Sequence, residues 1–258
     1  MKKIFIIGIG AGNPEYITIQ AINALNKVNV FFLMEKNKQK EKLITLRKEI
    51  IQRYVDKDRT YRIVCTMTPE CTFSEKDYVT SVQTLNCDKQ YVFENLISKE
   101  LSDGECGAFL IWGDPSLYDS TTRIIDTISQ IEQHTIKYEV IPGISSVQAL
   151  AARHRISLNE IGQPIEIKNG RTLIEDFSNN ASSIVVMLDA NNAFHKVINN
   201  DFDIYWGAYV GTPDEILVSG KLSDIAEDIT RIRANARERY GWIMDSYILK
   251  KRKHIKKV

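Results

Sequence analysis

The chain has 258 residues, of which 43% are hydrophobic and 26% are charged, as in ordinary soluble globular proteins. This composition excludes a disordered chain, a collagen-like chain and a small disulfide-stabilised scaffold, and the length predicts one or two domains at about 150 residues each. Because 34 basic residues nearly balance 33 acidic ones, no overall positive charge favours binding to nucleic acid.

No stretch reaches the roughly 20 apolar residues that would span a bilayer. The first residues imitate a signal peptide, but glycines interrupt the apolar run after Ile4–Ile7, so we predict a buried strand there. The four cysteines are separated by 6, 16 and 19 positions, which fits neither a zinc site nor a disulfide framework. We therefore predict no metal and a reducing, cytoplasmic compartment. The basic tail Lys250–Val258 is interpreted as a solvated terminus.

In the first half of the chain, short apolar runs alternate with segments of helical period, which is typical of βα units around a parallel sheet. The predicted strands are Ile4–Ile7, Val28–Met34, Tyr61–Cys65, Gly107–Trp112 and Lys137–Ile141. Helices are predicted between these strands and after the last of them, at 14–28, 43–54, 78–96, 121–131 and 147–153.

Strand candidates become denser in the second half. They are Pro164–Lys168, Ser183–Leu188, Asp203–Val210, Glu215–Gly220 and Trp242–Leu249. Between the last two strands, apolar residues recur at intervals of three and four from Leu222 to Ala236, with acids early and arginines late, as the helix dipole favours. We therefore predict two α/β domains, residues 1–155 with a parallel sheet and residues 156–258 with a mixed sheet and the basic tail.

Three loops that contain glycine beside polar residues follow predicted strands of the first domain. They lie within Gly8–Asn13, Trp112–Thr121 and Val140–Ala152. A tight turn and a helix cap would be enough to explain the third loop alone. Because the carboxyl ends of parallel strands share one edge of a sheet, three such loops together predict a ligand site at that edge.

The first loop imitates a dinucleotide-binding fingerprint, which needs glycine at its first, third and sixth positions. Gly8 and Gly10 fit, and Glu35 lies 27 residues after Gly8, roughly where a ribose-binding acid is expected. The sixth position is Asn13, followed by Pro14, so the glycine that allows close packing of helix on strand is missing. We expect no NAD site. A glycine turn without a ligand and a loop whose backbone approaches a bulky ligand both remain open.

The chain resembles the tetrapyrrole methyltransferases through four motifs that occur in the order found in that family: GIGAGNPEYIT, WGDPSLYDST, VIPGISSVQALAA and GTPDEILVSG. The resemblance extends from Met1 to about Leu249. It implies two α/β domains with the active site in the cleft between them, S-adenosylmethionine as methyl donor, a tetrapyrrole substrate and a homodimer. Longer strings resemble one branch of that family, in the cobalamin pathway, and imply methylation with release of acetate: AARHRISLNEIGQPI, DIYWGAYVGTPDEILV and GWIMDSYIL.

The resemblance also implies positions for the site. The cofactor positions are Pro14, Gly113, Asp114, Leu117, Ser145, Ser146, Met187 and Gly211. Asp114 and Tyr118 are the catalytic candidates, and the backbone at Gly10 and Gly12 is placed beside the substrate. One departure is Asn13, which stands where the family often has an acid. The segment Cys65–Asp88 carries little family signal and receives no role.

A substrate with many carboxylates needs cations. Arg123 and Arg153 are the candidates we favour, and further candidates are His154, Arg155, Lys168 and Arg171. Arg153–Arg155 also complements a helix dipole, so a purely structural role stays open there.

Methyl transfer from a sulfonium needs in-line geometry more than acid–base groups. We accordingly predict no nucleophilic triad, and the four histidines, at 134, 154, 195 and 254, are expected to be structural. Two alternatives remain. One is a methyltransferase of this family with another acceptor, such as another precorrin position, diphthamide or ribosomal RNA, the last disfavoured by the neutral charge. The other is a binding protein for S-adenosylmethionine without catalytic activity.

Overall fold

A computed structural model describes residues 1–35, 41–69, 78–131, 135–177 and 181–252. The chain divides into two compact units, the first formed by Met1–Gly10 with Pro14–Ser145 and the second by Ala11–Asn13 with Ser146–Val258. The division after residue 145 precedes by ten positions the boundary that we predicted after residue 155. Cys71, His134, His254 and the part of the basic tail beyond Arg252 lie outside the described residues.

The first unit contains five strands: β1 (Lys2–Gly8), β2 (Val30–Glu35), β3 (Arg62–Met67), β4 (Cys106–Ile111) and β5 (Ile136–Ile141). All of their pairings are parallel, in the order β3-β2-β4-β1-β5, which confirms the parallel sheet. The helices are α1 (Ile19–Leu25), α2 (Glu41–Tyr54), α3 (Tyr78–Glu100) and α4 (Thr121–Ser129).

The apolar run of β1 is buried because helices cover both faces of the sheet. Phe5 and Ile7 pack in one core cluster with α1 and α2, while Ile4 and Ile6 pack in another with α3 and α4. The helix predicted over 14–28 is shorter in the structure. A 3-10 turn occupies Pro14–Tyr16, and α1 begins after Thr18, whose Oγ1 accepts a hydrogen bond from the N–H of Ala21 at 3.1 Å.

The second unit contains β6 (Ile165–Asn169), β7 (Ser183–Met187), β8 (Phe202–Ala208), β9 (Ile216–Lys221) and β10 (Asp245–Lys251). The strand order is β6-β7-β10-β8-β9, and only β6 and β7 pair in parallel, so the sheet is mixed as predicted. The helices are α5 (Ser146–His154), α6 (Gly170–Glu175) and α7 (Leu222–Tyr240).

Helix α5 belongs to the second unit because it packs against β8 and β10. A Cβ on Gly207 of β8 would lie 2.6 Å from Leu150 Cδ1, so the helix sits directly on a glycine of the strand. The sequence did not predict α6, which begins with a capping box between Asn169 and Thr172. In the described part of the chain, no helix has both the length and the apolar character needed to cross a bilayer.

Candidate functional site

The carboxyl ends of β1, β4 and β5 lie at one edge of the first sheet. After β1 the chain crosses to β2, toward one end of the sheet, and after β4 it crosses to β5, toward the opposite end. The adjacent strands β1 and β4 therefore form a topological switch point. Ligands of open α/β sheets bind at such points. Here the N–H of Gly113 donates to Gly10 O at 2.9 Å, and the N–H of Gly10 donates to Gly113 O at 3.2 Å. The first two predicted loops are therefore joined through their backbones.

The loops after β1, β4 and β5 approach one another so closely that glycine is required. A Cβ on Gly8 would lie 2.6 Å from Gly143 N and 2.9 Å from Gly113 O, and a Cβ on Gly143 would lie 2.9 Å from Gly8 Cα. All of these neighbours are backbone atoms, which cannot move aside without shifting a strand end. Side chains are thus excluded here, and the edge presents bare peptide groups.

Asp114 links the residues that follow β4, 112–120 (the β4 loop), to those that follow β5, 142–145 (the β5 loop). One carboxylate oxygen accepts from the N–H of Gly143 at 2.8 Å, and the other accepts from the N–H of Ser116 at 2.8 Å and from the Ser116 hydroxyl. Burial raises the pKa of Asp114, but the hydrogen bonds from Ser116 and Gly143 outweigh it, and the pKa lies below its ordinary value. The ionised carboxylate therefore fixes two of the three glycine loops.

Tyr118, the other catalytic candidate, lies on the same loop. Its backbone has a φ of 53°, which is a left-handed conformation that non-glycine residues rarely adopt, and 45% of the residue is exposed. Burial of the remainder raises the pKa of the Tyr118 phenol, so it is protonated at neutral pH. The β4 loop thus presents a hydroxyl donor at the carboxyl edge of the sheet.

The other predicted residues of the first unit lie close in sequence to these strand ends. Pro14 begins the 3-10 turn after the first loop, and its carbonyl accepts from Tyr54 Oη at 3.2 Å. Leu117 is half-buried in the β4 loop, and Ser145 is buried at the end of the β5 loop. Arg123 is exposed in the first turn of α4.

In the second unit, the predicted residues lie around the carboxyl ends of β7 and β8. Ser246 of β10 pairs in register with Met187, and its Oγ lies 3.4 Å from Ser146 Oγ. Sequence analysis missed Ser246, because only the strand register brings this buried hydroxyl beside Ser146. Next to Met187, Leu188 has a φ of 53° and is 64% exposed, an unusual state for an apolar residue.

Gly12 and Gly211 also meet in this unit. A Cβ on Gly12 would lie 3.0 Å from Gly211 C and 2.9 Å from Thr212 Cγ2. Both glycines have positive φ, of 91° and 81°. The N–H of Gly211 donates to Glu215 Oε2 at 2.8 Å, and Glu215 Oε1 pairs with Arg153 Nη2 at 2.6 Å. Arg153 therefore steadies the Gly211 turn through Glu215.

Three further cation candidates have protein partners as well. Lys168 pairs with Glu166 at 2.9 Å, and Arg171 lies 3.9 Å from Glu175 on the next turn of α6. His154 Nε2 lies 3.0 Å from the carbonyl of Trp206, and burial lowers its pKa. Within the described ranges, no three or more histidine, cysteine or acidic side chains form a group that could hold a metal.

Comparison with known proteins agrees with the family resemblance. Residues 3–226 match the family Tetrapyrrole (Corrin/Porphyrin) Methylases. Precorrin-6A synthase [deacetylating] from Sinorhizobium sp is 46% identical, with 97% of this chain and 96% of that protein covered. A crystal structure of a protein described as cobalamin synthesis related (CobF), from Corynebacterium diphtheriae, is 33% identical with a TM-score of 0.82, covering 97% of this chain and 99% of that one.

A more distant likeness concerns the fold alone. Uroporphyrin-III C-methyl transferase from Thermus thermophilus, complexed with S-adenyl homocysteine, is 15% identical with a TM-score of 0.60, covering 96% of this chain and 92% of that one. The family match spans most of the chain, and the relative that is 46% identical spans nearly all of it. This chain belongs to the tetrapyrrole methylases.

Proposed function

We propose that this protein is an S-adenosylmethionine-dependent C-methyltransferase of cobalamin biosynthesis that converts precorrin-5 to precorrin-6A and releases acetate. Membership of the tetrapyrrole methylases makes the chain a methyltransferase. The observation that carries the choice of reaction is the 46% identity to precorrin-6A synthase [deacetylating] along nearly the whole chain. That likeness favours this reaction over methylation at another position or of another acceptor.

Two features of the chain support S-adenosylmethionine as the methyl donor. The edge formed by Gly8, Gly113 and Gly143 offers peptide groups without side chains, where the polar end of a ligand can approach closely. The exposed Leu188 beside Met187 offers an apolar surface to a flat ring such as adenine. Pro14, Leu117, Ser145, Ser146 and Gly211 are the further proposed contacts. The Thermus thermophilus relative, complexed with S-adenyl homocysteine, supports the same ligand class.

The main task of the protein in methyl transfer is alignment. When bound, S-adenosylmethionine supplies an electrophilic methyl group, and the acceptor carbon must approach that group in line with the sulfur. Because both carboxylate oxygens of Asp114 already accept hydrogen bonds from loop residues, we assign Asp114 to positioning the β4 and β5 loops. A fixed pair of loops reduces the motion of whatever binds to them.

Release of acetate requires a polar group near the acetyl oxygen. Water adds to the acetyl carbonyl, the bond to the ring carbon breaks, and its electron pair stays on that carbon, which takes the methyl group. One water is consumed, and one acetate and two protons are released. We propose that the protonated Tyr118 phenol donates to the acetyl oxygen. The N–H of Gly10 already donates to Gly113 O, so it is a weaker candidate.

The test is a stoichiometry measurement. Purified protein is given precorrin-5 and methyl-labelled S-adenosylmethionine, and the acetate formed is compared with the methyl incorporated. We expect equal amounts. Methyl incorporation without acetate would keep the family and refute this reaction. Binding of S-adenosylhomocysteine without any methyl transfer would favour the alternative that the chain is a binding protein for S-adenosylmethionine without catalytic activity.

We also propose that the protein acts as a homodimer in the cytoplasm, without nucleic acid or membrane as partners. The family resemblance supports the dimer, and the near balance of charge argues against a nucleic-acid partner. Among the described residues, the thiols of Cys87 and Cys106 are free, as suits a reducing compartment. Light scattering that gives a monomer mass would refute the dimer.

A further inference from the structure

The second and fourth strands separate at the carboxyl edge of the first sheet, next to the β4 loop. β2 pairs with β4 only over Val30–Phe32, although it continues beside β3 as far as Glu35. The carbonyl of Ile111 accepts from the N–H of Ile9, on the β1 side. Since successive carbonyls of a strand point in opposite directions, Leu110 O faces the side of β2, where the ladder has ended. This opening between β2 and β4 is called the fork below.

Arg47 of α2 reaches into the fork. Its Nε donates to Leu110 O at 3.0 Å, and its Nη1 donates to Leu43 O at 3.0 Å. Burial lowers the pKa of Arg47 to about 10 and the charge of Asp119 opposes that effect, so the guanidinium is charged at neutral pH. A neutral donor would satisfy the carbonyl of Leu110 without the cost of burying a charge. The charge itself is therefore the feature that needs an explanation.

A second cation, from α3, contacts the β4 loop that follows this strand end. Lys89 Nζ donates to Ser120 Oγ at 3.2 Å, and burial lowers the pKa of Lys89 while the charge of Asp119 opposes that effect. Asp119 lies in the β4 loop, where its Oδ1 accepts from the N–H of Thr121 at 2.7 Å. Two partly buried cations thus act on one carboxylate, which leaves this cluster of three side chains with a net positive charge.

We propose that Arg47 and Lys89 bind a carboxylate of the tetrapyrrole substrate at the fork, beside the β4 loop. The inference rests on the proposed function, because substrates of that class carry several carboxylates around the ring. The planar guanidinium suits a two-point contact with a carboxylate, and the lysine adds a second charge. Asp119 is the counter-charge when no substrate is bound. A carboxylate held here fixes the edge of the ring next to the β4 loop, which carries Tyr118.

The experiment compares Arg47→Met and Lys89→Met with Lys48→Met, which removes the same charge from an exposed position of α2. We expect KM for precorrin-5 to rise about 10- to 100-fold in the first two variants, as for the loss of a charge-assisted hydrogen bond. The Kd for S-adenosylhomocysteine, kcat and the KM of Lys48→Met should stay within about twofold of wild type. Arg47→Lys should recover part of the loss, because it restores the charge without the planar fork.

An unchanged KM in both Met variants would overturn the proposal, as would a lower melting temperature and kcat with KM unchanged, since that pattern marks a purely structural role for Arg47. Lys89→Met keeps the test valid if Arg47→Met does not fold, because Lys89 has no strand carbonyl to satisfy. If KM rose as much in Lys48→Met as in the other two variants, only long-range charge would matter, and the proposal would also be overturned.

A second readout separates this inference from the proposed reaction. Quenching of tryptophan fluorescence by uroporphyrin, an octacarboxylate tetrapyrrole, reports binding without turnover. If wild type makes no product from precorrin-5 but binds uroporphyrin, and both Met variants lose that affinity, the reaction is wrong and the carboxylate site stands. Equal uroporphyrin affinity in wild type and both variants would refute the site. A wild type that neither binds uroporphyrin nor converts precorrin-5 would refute both.

Discussion

Replacing Asp114 with alanine removes the acceptor that joins the β4 loop to the β5 loop. The two Ser116 donors are exposed and can turn to water, whereas the half-buried N–H of Gly143 loses its 2.8 Å partner. A hydrogen bond to a charged group is worth about 1.5–3 kcal/mol, so affinity for S-adenosylhomocysteine should fall about 10- to 100-fold. The fold should survive, because Asp114 lies outside the strand ladder.

The pH dependence of this effect follows from the lowered pKa of Asp114. Since the pKa in the folded protein lies below its ordinary value of 3.8, the contribution of the carboxylate is complete above that value. It is lost only as the pH falls through the folded pKa. Wild type and Asp114→Ala should therefore differ by a constant factor between about pH 5 and 8, and converge only in stronger acid.

Calorimetric titration with S-adenosylhomocysteine measures both effects, and Asp126→Ala is the matched control. Asp126 lies on α4, away from the glycine loops, and accepts a hydrogen bond from Tyr138 Oη at 2.7 Å. Its loss should lower stability without changing the affinity. An Asp114→Ala protein that binds S-adenosylhomocysteine like wild type would refute the reasoning, as would an equal loss of affinity in Asp126→Ala. A ratio of wild-type to Asp114→Ala affinity that changes between about pH 5 and 8 would also refute it.

Three further outcomes are expected. Gly143→Ala should lower the melting temperature and weaken S-adenosylhomocysteine binding, because its Cβ would lie 2.9 Å from Gly8 Cα, whereas Gly220→Ala, with only side-chain atoms from 3.3 Å outward, should do neither. Tyr118→Phe should slow acetate release about 10- to 100-fold with the Kd for S-adenosylhomocysteine unchanged, and the exposed Tyr91→Phe should behave as wild type. Calorimetry should give one equivalent of S-adenosylhomocysteine per chain and no NAD binding; tight NAD binding would contradict the interpretation of Asn13.

The sequence predicts the parts of the fold that depend on local constraints. Apolar runs such as Ile4–Ile7 indicate buried strands, and the structure buries these residues. The glycines at the strand ends predicted a ligand site, but not the packing of the loops on one another's backbones that the distances around Gly143 show. The unit boundary depends on packing between distant residues. Helix α5 belongs with the second sheet because Leu150 lies on Gly207, and nothing in the local sequence announces that contact.

The cations show the same division between local and distant information. The partner of Arg171 is Glu175, four positions later, and this pairing follows from helix geometry once α6, which the sequence did not predict, is known. The partner of Arg153 does not follow from helix geometry, because Glu215 lies 62 positions away. Arg47 contacts the end of β4 and Lys89 contacts the β4 loop, but the two stand on different helices, so no spacing rule could pair them.

Two acids of the family motifs perform the same task in different units. Asp114 accepts from the N–H of Gly143, and Glu215 accepts from the N–H of Gly211, each at 2.8 Å. A glycine loop has no side chain to restrain it, so a carboxylate on its N–H supplies the order that close backbone approach would otherwise lack. Methyl transfer benefits most from such order, because its rate depends on the alignment of three atoms more than on proton transfer. On the proposed function, the acids of these motifs would serve the reaction by holding the backbone still, and the cations at the fork would complete the alignment from the side of the substrate.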